Sequence, residues 1–273
     1  FDGFEITQLP VDENGLLSAH TVADALREDT ILVAIRWANN ETGVIHPVAE
    51  IASELNGHQA LFLTDATQAV GKIPVSVEGV DLLACSAHKF YGPKGVGALF
   101  IRESRPSIRI APLIHGGSQE SGKRAGTLNV PGIVGLGAAA EIAKNRLSLD
   151  HERHTTLKNR FENALIEAIP GLKVNGADVD RLPQTSNITF PGINVGEMIS
   201  DIGRIAVSTG SACGTGKAKP SHVLSAHGLS ADEAKGTIRF SMGRNTTEAE
   251  VDEAVRLLME YVQEHAGQPA MQD

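Results

Sequence analysis

The sequence predicts an α/β fold with a mainly parallel sheet in its N-terminal part and a smaller α+β domain after it. Short apolar runs alternate with amphipathic helical segments, which is the pattern of β-α-β units. Polar residues directly follow several of these runs, and ligands of parallel sheets gather at the carboxyl ends of the strands. We therefore expect one domain at residues 1–148 and a second at residues 149–273.

Apolar runs of strand length define the first domain. Its strands are predicted at Ile31–Trp37, Leu61–Thr64, Val80–Ala84 and Val96–Ile101. A helix is predicted at Pro47–Leu55, because proline is favoured in the first turn of a helix. Upstream, Phe4–Leu9 predicts a further short strand, and residues 13–15 predict a turn.

Helical spacing dominates the end of the first domain and the start of the second. Apolar residues recur over Pro131–Leu149 and again in a following helix that ends before Pro170. The apolar face of that following helix consists of Leu157, Phe161, Leu165 and Ile169. Shorter strands are predicted at Lys173–Asn175, Asn187–Phe190, Ile205–Val207 and Thr237–Ser241. Thr247 and Glu250 have the spacing of a capping box and predict the start of the last helix.

Composition excludes several classes of protein. The net charge is −9, without a block rich in lysine or arginine, so we expect no nucleic-acid surface. No apolar run reaches the ~18 residues of a membrane-spanning helix, so we expect no membrane contact. The two cysteines, Cys85 and Cys213, form neither a disulfide framework nor a zinc-site spacing, which favours a cytoplasmic protein without a metal of its own.

Asp65 and Lys89 each follow a predicted strand. Taken alone, Asp65 is typical of a helix N-cap and Lys89 of an exposed loop. Together, a carboxylate and an amine at strand ends suit a cofactor that has a basic ring nitrogen and an electrophilic carbonyl. Pyridoxal phosphate is such a cofactor, because lysine forms an imine with its aldehyde and a carboxylate keeps its ring nitrogen protonated.

Cys213 lies in a different setting from Cys85. The segment around Cys213, STGSACGTG, contains only small and polar residues, so packing explains this thiol poorly. Cys85 ends an apolar run, where buried packing is the expected use. Cys213 is therefore a candidate nucleophile, which reacts as the thiolate.

Six blocks together resemble the cysteine desulfurases, which are pyridoxal phosphate enzymes of aminotransferase class V and fold type I. The blocks are NNETGVI (39–45), DATQAVGK (65–72), SAHKFYGPKGVGAL (86–99), HGGSQESGKRAGT (115–127), STGSACGTG (208–216) and TIRFSMGR (237–244). They occur in the order of the family and extend over essentially the whole chain. The resemblance implies an incomplete large cofactor domain with a mainly parallel sheet, followed by a small C-terminal domain that carries the cysteine loop.

The resemblance implies a cofactor role for several matching residues. Lys89 binds pyridoxal phosphate covalently, Asp65 pairs with its ring nitrogen, and Gln68 contacts its phenolic oxygen. The phosphate is bound by Ser86 and His88, and Thr127 resembles the threonine that reaches the phosphate held by the partner subunit of a homodimer.

The remaining implied roles concern the substrate and the reaction. Asn40 and Arg239 hold the carboxylate of L-cysteine, and Asn40 is also counted among the cofactor contacts. Arg239 alone would be interpreted as a surface residue of an edge strand, although a guanidinium is the natural clamp for a carboxylate. Cys213, Lys89 and His88 are the implied catalytic residues. Cys213 would take sulfur as a persulfide and deliver it to an acceptor, and it is a candidate contact of a transient iron–sulfur cluster.

Several alternatives remain open at this point. The acceptor could be an iron–sulfur scaffold or a protein of tRNA or DNA thiolation. A selenocysteine lyase or an aminotransferase of class V would share most of the blocks. The first residue is Phe1, and the family's usual N-terminal part, with a phosphate-binding turn and a histidine that stacks on the cofactor ring, has no match here. We therefore expect a fragment of an active enzyme, with an inactive protein or a non-catalytic scaffold as the alternatives.

Overall fold

The computed structural model describes residues 3–103, 107–207 and 221–265. The chain divides into two units. Unit 1 contains Phe1–Ala25, Ala38–Pro47 and Ser148–Asp273, and unit 2 contains Leu26–Trp37 and Val48–Leu147. The C-terminal part of unit 1 begins beside the predicted boundary at residue 148, but two N-terminal segments also belong to this unit. The division into two domains stays a prediction.

Seven α-helices and seven strands occur in the described ranges. The helices are α1 (Ala19–Ala25), α2 (Val48–Glu54), α3 (Val130–Ala168), α4 (Val195–Ile202), α5 (His222–Ala226), α6 (Ala231–Lys235) and α7 (Glu248–His265). The strands are β1 (Leu32–Arg36), β2 (Leu61–Asp65), β3 (Leu82–Ser86), β4 (Gly97–Ile101), β5 (Lys173–Val174), β6 (Thr185–Thr189) and β7 (Thr237–Ser241).

A four-stranded sheet in the order β1-β2-β3-β4 forms the centre of unit 2. The first three strands are parallel, and β4 pairs with β3 in the antiparallel direction. The expectation of a mainly parallel sheet in an α/β fold is therefore confirmed. Parallel strands end at the same edge, so the residues that follow β2 and β3 are neighbours in space.

Close packing after β3 requires glycine at two positions. A Cβ on Gly97 would lie 2.5 Å from the carbonyl oxygen of Cys85, and a Cβ on Gly92 would lie 2.9 Å from the Cβ of Ala87. Directly before Gly92, Tyr91 ends a short 3₁₀ helix, Ala87–Phe90, with a left-handed φ of 70°. These residues let the chain reverse direction tightly at the carboxyl end of the sheet.

Helix α3 is one continuous helix of 39 residues where the sequence pattern predicts two. The apolar spacing is interrupted between Leu149 and Leu157, but no glycine or proline lies there to end the helix. Polar contacts replace the apolar ones over this stretch. Asp150 accepts a 2.7 Å hydrogen bond from Arg244, and Arg153 donates to the carbonyl oxygen of Arg244.

Unit 1 contains the antiparallel sheet β5-β6-β7 and one large apolar core. The predicted apolar face of Leu157, Phe161, Leu165 and Ile169 is buried in this core, as expected. The rings of Phe161 and Phe240 pack with their centroids 4.8 Å apart. Helix α7 adds Val251, Val255 and Leu258 to this core.

Two predicted strands are wrong. Phe4–Leu9 is not a strand, and Phe4 and Ile6 are 64% and 63% exposed. Ile205–Val207 is also irregular, although Ile205 and Val207 pack against the core of unit 1. Apolar side chains predict burial, whereas a strand also needs a neighbouring backbone to pair with. Helices α1, α4 and α6 have no counterpart among the predicted elements, whereas α5 agrees with a helix that the sequence predicts at about Pro220–Ala226.

Candidate active site

Asp65 and Ser86 mark the edge of the unit 2 sheet where the predicted cofactor residues gather. Asp65 is the last residue of β2 and Ser86 the last residue of β3, and Asp65 pairs in register with Ala84. The Oδ1 of Asp65 accepts a 2.9 Å hydrogen bond from the backbone N–H of Thr67, so this carboxylate also caps the following turn. Gln68 lies in that turn and is half-buried.

His88 and Lys89 lie on the 3₁₀ helix that follows Ser86. Ala87 and Phe90 are buried at 0% and 2% exposure and anchor the helix, while His88 and Lys89 are exposed. Within the described part of the chain, the ammonium group of Lys89 makes no hydrogen bond or ion pair. The anchoring pair thus presents an amine and an imidazole beside the ends of β2 and β3.

Cys85 has the packing role expected from its sequence. It is half-buried beside the apolar cluster of Ala87, Phe90, Ala139 and Ala143. Burial raises the pKa of the Cys85 thiol, and the nearby charge of Asp65 raises it further, against a hydrogen bond with the backbone of Ala98. The thiol is therefore the favoured form of Cys85, which disfavours nucleophilic chemistry at this cysteine.

Thr127 lies in an exposed segment of unit 2. Arg124 shapes this segment by donating a 2.9 Å hydrogen bond to the carbonyl oxygen of Gly126. The residues around it expose large apolar side chains: Leu113, Ile114, Leu128, Val130, Ile133 and Val134. Leu113 is 97% exposed.

Arg239 and Asn40 meet in unit 1. The Nη1 of Arg239 on β7 donates a 2.8 Å hydrogen bond to the carbonyl oxygen of Asn40. The Nε of Arg239 is buried and has no hydrogen-bond partner among the described residues. A buried donor is costly unless it is paired, so an anionic oxygen at this position would satisfy it. The guanidinium is therefore held through Nη1, while its Nε keeps a donor that no described residue uses.

The turn that contains Asn40 is rigid. The side chain of Asn39 accepts hydrogen bonds from the backbone N–H groups of Glu41, at 2.8 Å, and Thr42. A β-bridge between Ala38 and Ile45 closes the turn. The sequence pattern did not single out Asn39 or Glu41, although both belong to the NNETGVI block.

Cys213 lies outside the described residues, in the range 208–220. The predicted site residues that the structure describes are divided between the two units. Unit 2 contains Asp65, Gln68, Ser86, His88, Lys89 and Thr127, and unit 1 contains Asn40 and Arg239.

The residues at the sheet edge of unit 2 fit pyridoxal phosphate. Lys89 offers an amine without a described partner for the aldehyde, and Asp65 offers a carboxylate for the ring nitrogen. Ser86 and His88 add a hydroxyl and an imidazole, which can donate to a phosphate, and the Ser86 side chain makes no capping hydrogen bond.

A family model described as "Aminotransferase class-V" matches residues 1–254. The chain belongs to the class-V aminotransferase family. Members of this family depend on pyridoxal phosphate, in agreement with the fit at the sheet edge. The α/β architecture is therefore that of a class-V enzyme.

Relatives of this class-V chain include cysteine desulfurases. "Cysteine desulfurase IscS" of Anaeromyxobacter sp. (strain Fw109-5) is 47% identical over 262 residues, which are 95% of this chain and 65% of that protein. A solved structure described as a NIFS-like protein is 37% identical, with a TM-score of 0.85, over 96% of this chain and 69% of that one. A solved structure described as "SspA in complex with cysteine" is 38% identical, with a TM-score of 0.73, over 88% of this chain and 67% of that one.

The class-V chain thus spans about 65% of the length of the curated relative it matches. Within the described ranges, no helix is long and apolar enough to cross a bilayer. The same residues contain no cluster of histidine, cysteine or carboxylate side chains that could hold a metal ion.

Proposed function

We propose that the protein is a pyridoxal phosphate-dependent cysteine desulfurase. It would convert L-cysteine to L-alanine and leave the sulfur as a persulfide on Cys213. The main support for this proposal is the state of the Arg239 guanidinium. Its buried Nε is unpaired among the described residues, while its Nη1 donates to the carbonyl oxygen of Asn40. That geometry suits the carboxylate of an amino acid, and a solved relative is described in complex with cysteine.

Six residues are proposed to hold the cofactor, which supplies an electron sink for the carbon skeleton of the substrate. Lys89 attaches it covalently, and Asp65 keeps its ring nitrogen protonated. Gln68 donates to its phenolic oxygen, while Ser86 and His88 bind its phosphate. Thr127 is proposed to reach the phosphate in the partner subunit. Two observations support these roles. Suitable polar side chains lie at the ends of β2 and β3, and the residues match the motifs of the family.

Proton transfer at the substrate is proposed for the residues after β3. Lys89 Nζ, once released from the cofactor, takes the proton from the Cα of cysteine. His88 precedes Lys89 on the same 3₁₀ helix and is the second candidate for moving this proton. Both side chains are exposed and mounted on buried neighbours, which supports a defined but accessible position.

Sulfur transfer is proposed for Cys213. Its thiolate attacks the sulfur of the substrate, so that a sulfur–sulfur bond forms while the bond from Cβ to sulfur breaks. The electron pair of the broken bond stays with the carbon skeleton, which takes up one proton at Cβ, regains the Cα proton from Lys89 and leaves as alanine. No external oxidant or reductant is needed, because the carbon skeleton gains the two electrons that the two sulfur atoms lose when their bond forms.

A product analysis with two variants tests this proposal. The purified protein, supplied with pyridoxal phosphate and cysteine, should form alanine and sulfide in the presence of a thiol reductant. Lys89→Ala should lose the covalently attached cofactor, detected by mass after borohydride reduction. Cys213→Ser should keep the attached cofactor and lose sulfide release. Retained sulfide release in Cys213→Ser would contradict the assignment, and a keto acid in place of alanine would indicate an aminotransferase.

The partners and location are also proposed. We infer a cytoplasmic homodimer that passes sulfur from Cys213 to an acceptor protein, either for iron–sulfur cluster assembly or for thiolation. The exposed apolar side chains around Leu113 and Val130 support a protein partner of unit 2, because large apolar side chains gain free energy when an interface buries them. The net charge of −9 supports a protein rather than a nucleic acid as the partner.

A further inference from the structure

Glu41 is a buried carboxylate that the proposed reaction does not use. Glu41 is 6% exposed and lies in the rigid turn directly after Asn40. Its Oε2 accepts a 2.6 Å hydrogen bond from the Oγ of Ser221, which is 9% exposed. Removing a carboxylate from water is costly unless it is hydrogen-bonded, and a bond of this length is typical of a hydroxyl that donates to an ionised oxygen.

The backbone of the same turn is held by two opposed residues of the unit 1 sheet. Asn187 on β6 and Arg239 on β7 are direct cross-strand partners. Asn187 donates through Nδ2 to the carbonyl oxygen of Glu41 at 3.3 Å, and Arg239 donates to the carbonyl oxygen of Asn40. Consecutive carbonyl groups of the turn are therefore bound by neighbouring strands, so a shift of the turn would also shift the guanidinium of Arg239.

Ser221 connects this turn to the chain that follows Cys213. It is the first described residue after the range 208–220, which contains Cys213 in the sequence. Its hydroxyl accepts a 3.1 Å hydrogen bond from the backbone N–H of Val223 and so caps α5 while it donates to Glu41. One carboxylate thus joins the turn beside Arg239 to the start of α5.

We propose that Glu41 is a positioning residue for sulfur transfer to Cys213. Its carboxylate fixes Ser221, the first described residue after Cys213, relative to the turn that orients Arg239. This inference rests on the proposed desulfurase function. Neither Glu41 nor Ser221 is proposed to touch the substrate, so their loss should slow persulfide formation rather than weaken the binding of cysteine.

Variants on both sides of this hydrogen bond test the proposal. In single-turnover measurements, Glu41→Ala and Ser221→Ala should each slow persulfide formation on Cys213 by about tenfold or more. The KM for cysteine should stay within about twofold of the wild-type value in each case. Glu41→Gln should recover most of the rate, because its amide oxygen still accepts from Ser221. The double variant should be no slower than the slower single variant, because both changes remove one interaction.

Ser230 provides a matched control in the same unit. Its hydroxyl also caps a helix, α6, and donates a 2.8 Å hydrogen bond to a glutamate, Glu233, but this pair is exposed and lies in a local capping box. Ser230→Ala therefore removes the same chemical groups without touching the turn beside Arg239. It should leave the rate of persulfide formation unchanged.

The outcomes separate this inference from the proposed function. If the wild-type protein forms no persulfide on Cys213, the proposed function and this inference both fail. If the wild-type protein forms it while Ser221→Ala and Glu41→Ala match Ser230→Ala, only the inference fails. A rise in the KM for cysteine without a change in the single-turnover rate would also overturn it, because it would give Glu41 a role in substrate binding. Ser221→Ala and Glu41→Gln decide the matter if Glu41→Ala does not fold.

Discussion

The contacts of Arg239 indicate a role that its position in the sequence does not. By its position on the edge strand β7, it resembles an ordinary surface arginine. Its Nη1 is fixed by the carbonyl oxygen of Asn40, however, and its Nε is buried without a partner among the described residues. A planar guanidinium held in this way is prepared for two-point binding of a carboxylate, which an ammonium group could not reproduce.

A change of Arg239 to lysine should therefore weaken the binding of cysteine. Arg239→Lys keeps the positive charge but loses Nε and the fork, so the KM for cysteine should rise by about tenfold to a hundredfold. Steady-state kinetics measure this change. Arg256→Lys is the control, because Arg256 pairs with Glu253 and Glu260 on the exposed side of α7. An unchanged KM in Arg239→Lys would contradict the carboxylate role.

Local sequence patterns could reveal only those site residues that lie at the ends of predicted strands. Asp65, Ser86 and Lys89 follow apolar runs, and the ends of parallel strands are neighbours whatever the connections between them. The contact between Glu41 and Ser221 joins residues 180 positions apart, and no local pattern predicts such a pairing. The role of Glu41 therefore emerged only from the structure.

Among the helices and strands, the predictions were correct where the length and the limits of an apolar run were enough to define the element. Strand β7 and the parallel strands β1 to β3 were predicted because their apolar runs are short and bounded. Helix α3 was divided wrongly because its middle turns use the polar contacts of Asp150 and Arg153 instead of apolar packing. Phe4–Leu9 has the composition of a strand, but no strand among the described residues pairs with it.

The start of α7 provides a prediction at this scale. The Oγ1 of Thr247 accepts a 3.2 Å hydrogen bond from the backbone N–H of Glu250, and the Glu250 carboxylate accepts a 2.7 Å bond from the backbone N–H of Thr247. Thr247→Ala should lower the free energy of unfolding by about 1 kcal/mol, measured by urea denaturation. Thr247→Ser should retain the cap and serve as the control. Equal losses in both variants would contradict a capping role.

At the scale of the whole molecule, a buried ion pair links stability to pH. Arg181 donates two hydrogen bonds to the carboxylate of Glu162, at 2.7 and 2.9 Å, and both side chains are almost fully buried. Burial alone would raise the pKa of Glu162, but the hydrogen bonds and charge of Arg181 outweigh it and lower the pKa below its ordinary value. Burial lowers the pKa of the neighbouring Lys158.

Acid should therefore remove the contribution of Glu162 to stability. Because its pKa is lower in the folded state, the contribution is complete above the unfolded value of about 4.3 and is lost as pH falls through the folded value. Glu162→Gln should be less stable than wild type by about 3 kcal/mol near neutral pH, and the difference should shrink below about pH 4. Urea denaturation from neutral to acidic pH measures it. Glu260→Gln, in an exposed pair with Arg256, is the control. A difference that does not vary with pH would contradict the linkage.

We propose that cysteine sulfur reaches Cys213 by way of a cofactor held at Lys89. The most direct test is the mass of the tryptic peptide that contains Cys213, measured after the purified protein with bound pyridoxal phosphate has reacted with cysteine labelled with heavy sulfur. We expect an added atom of the heavy isotope on Cys213 in the wild-type protein and none in Lys89→Ala. An unlabelled Cys213 peptide in a preparation that releases labelled sulfide, or equal labelling in Lys89→Ala, would contradict it.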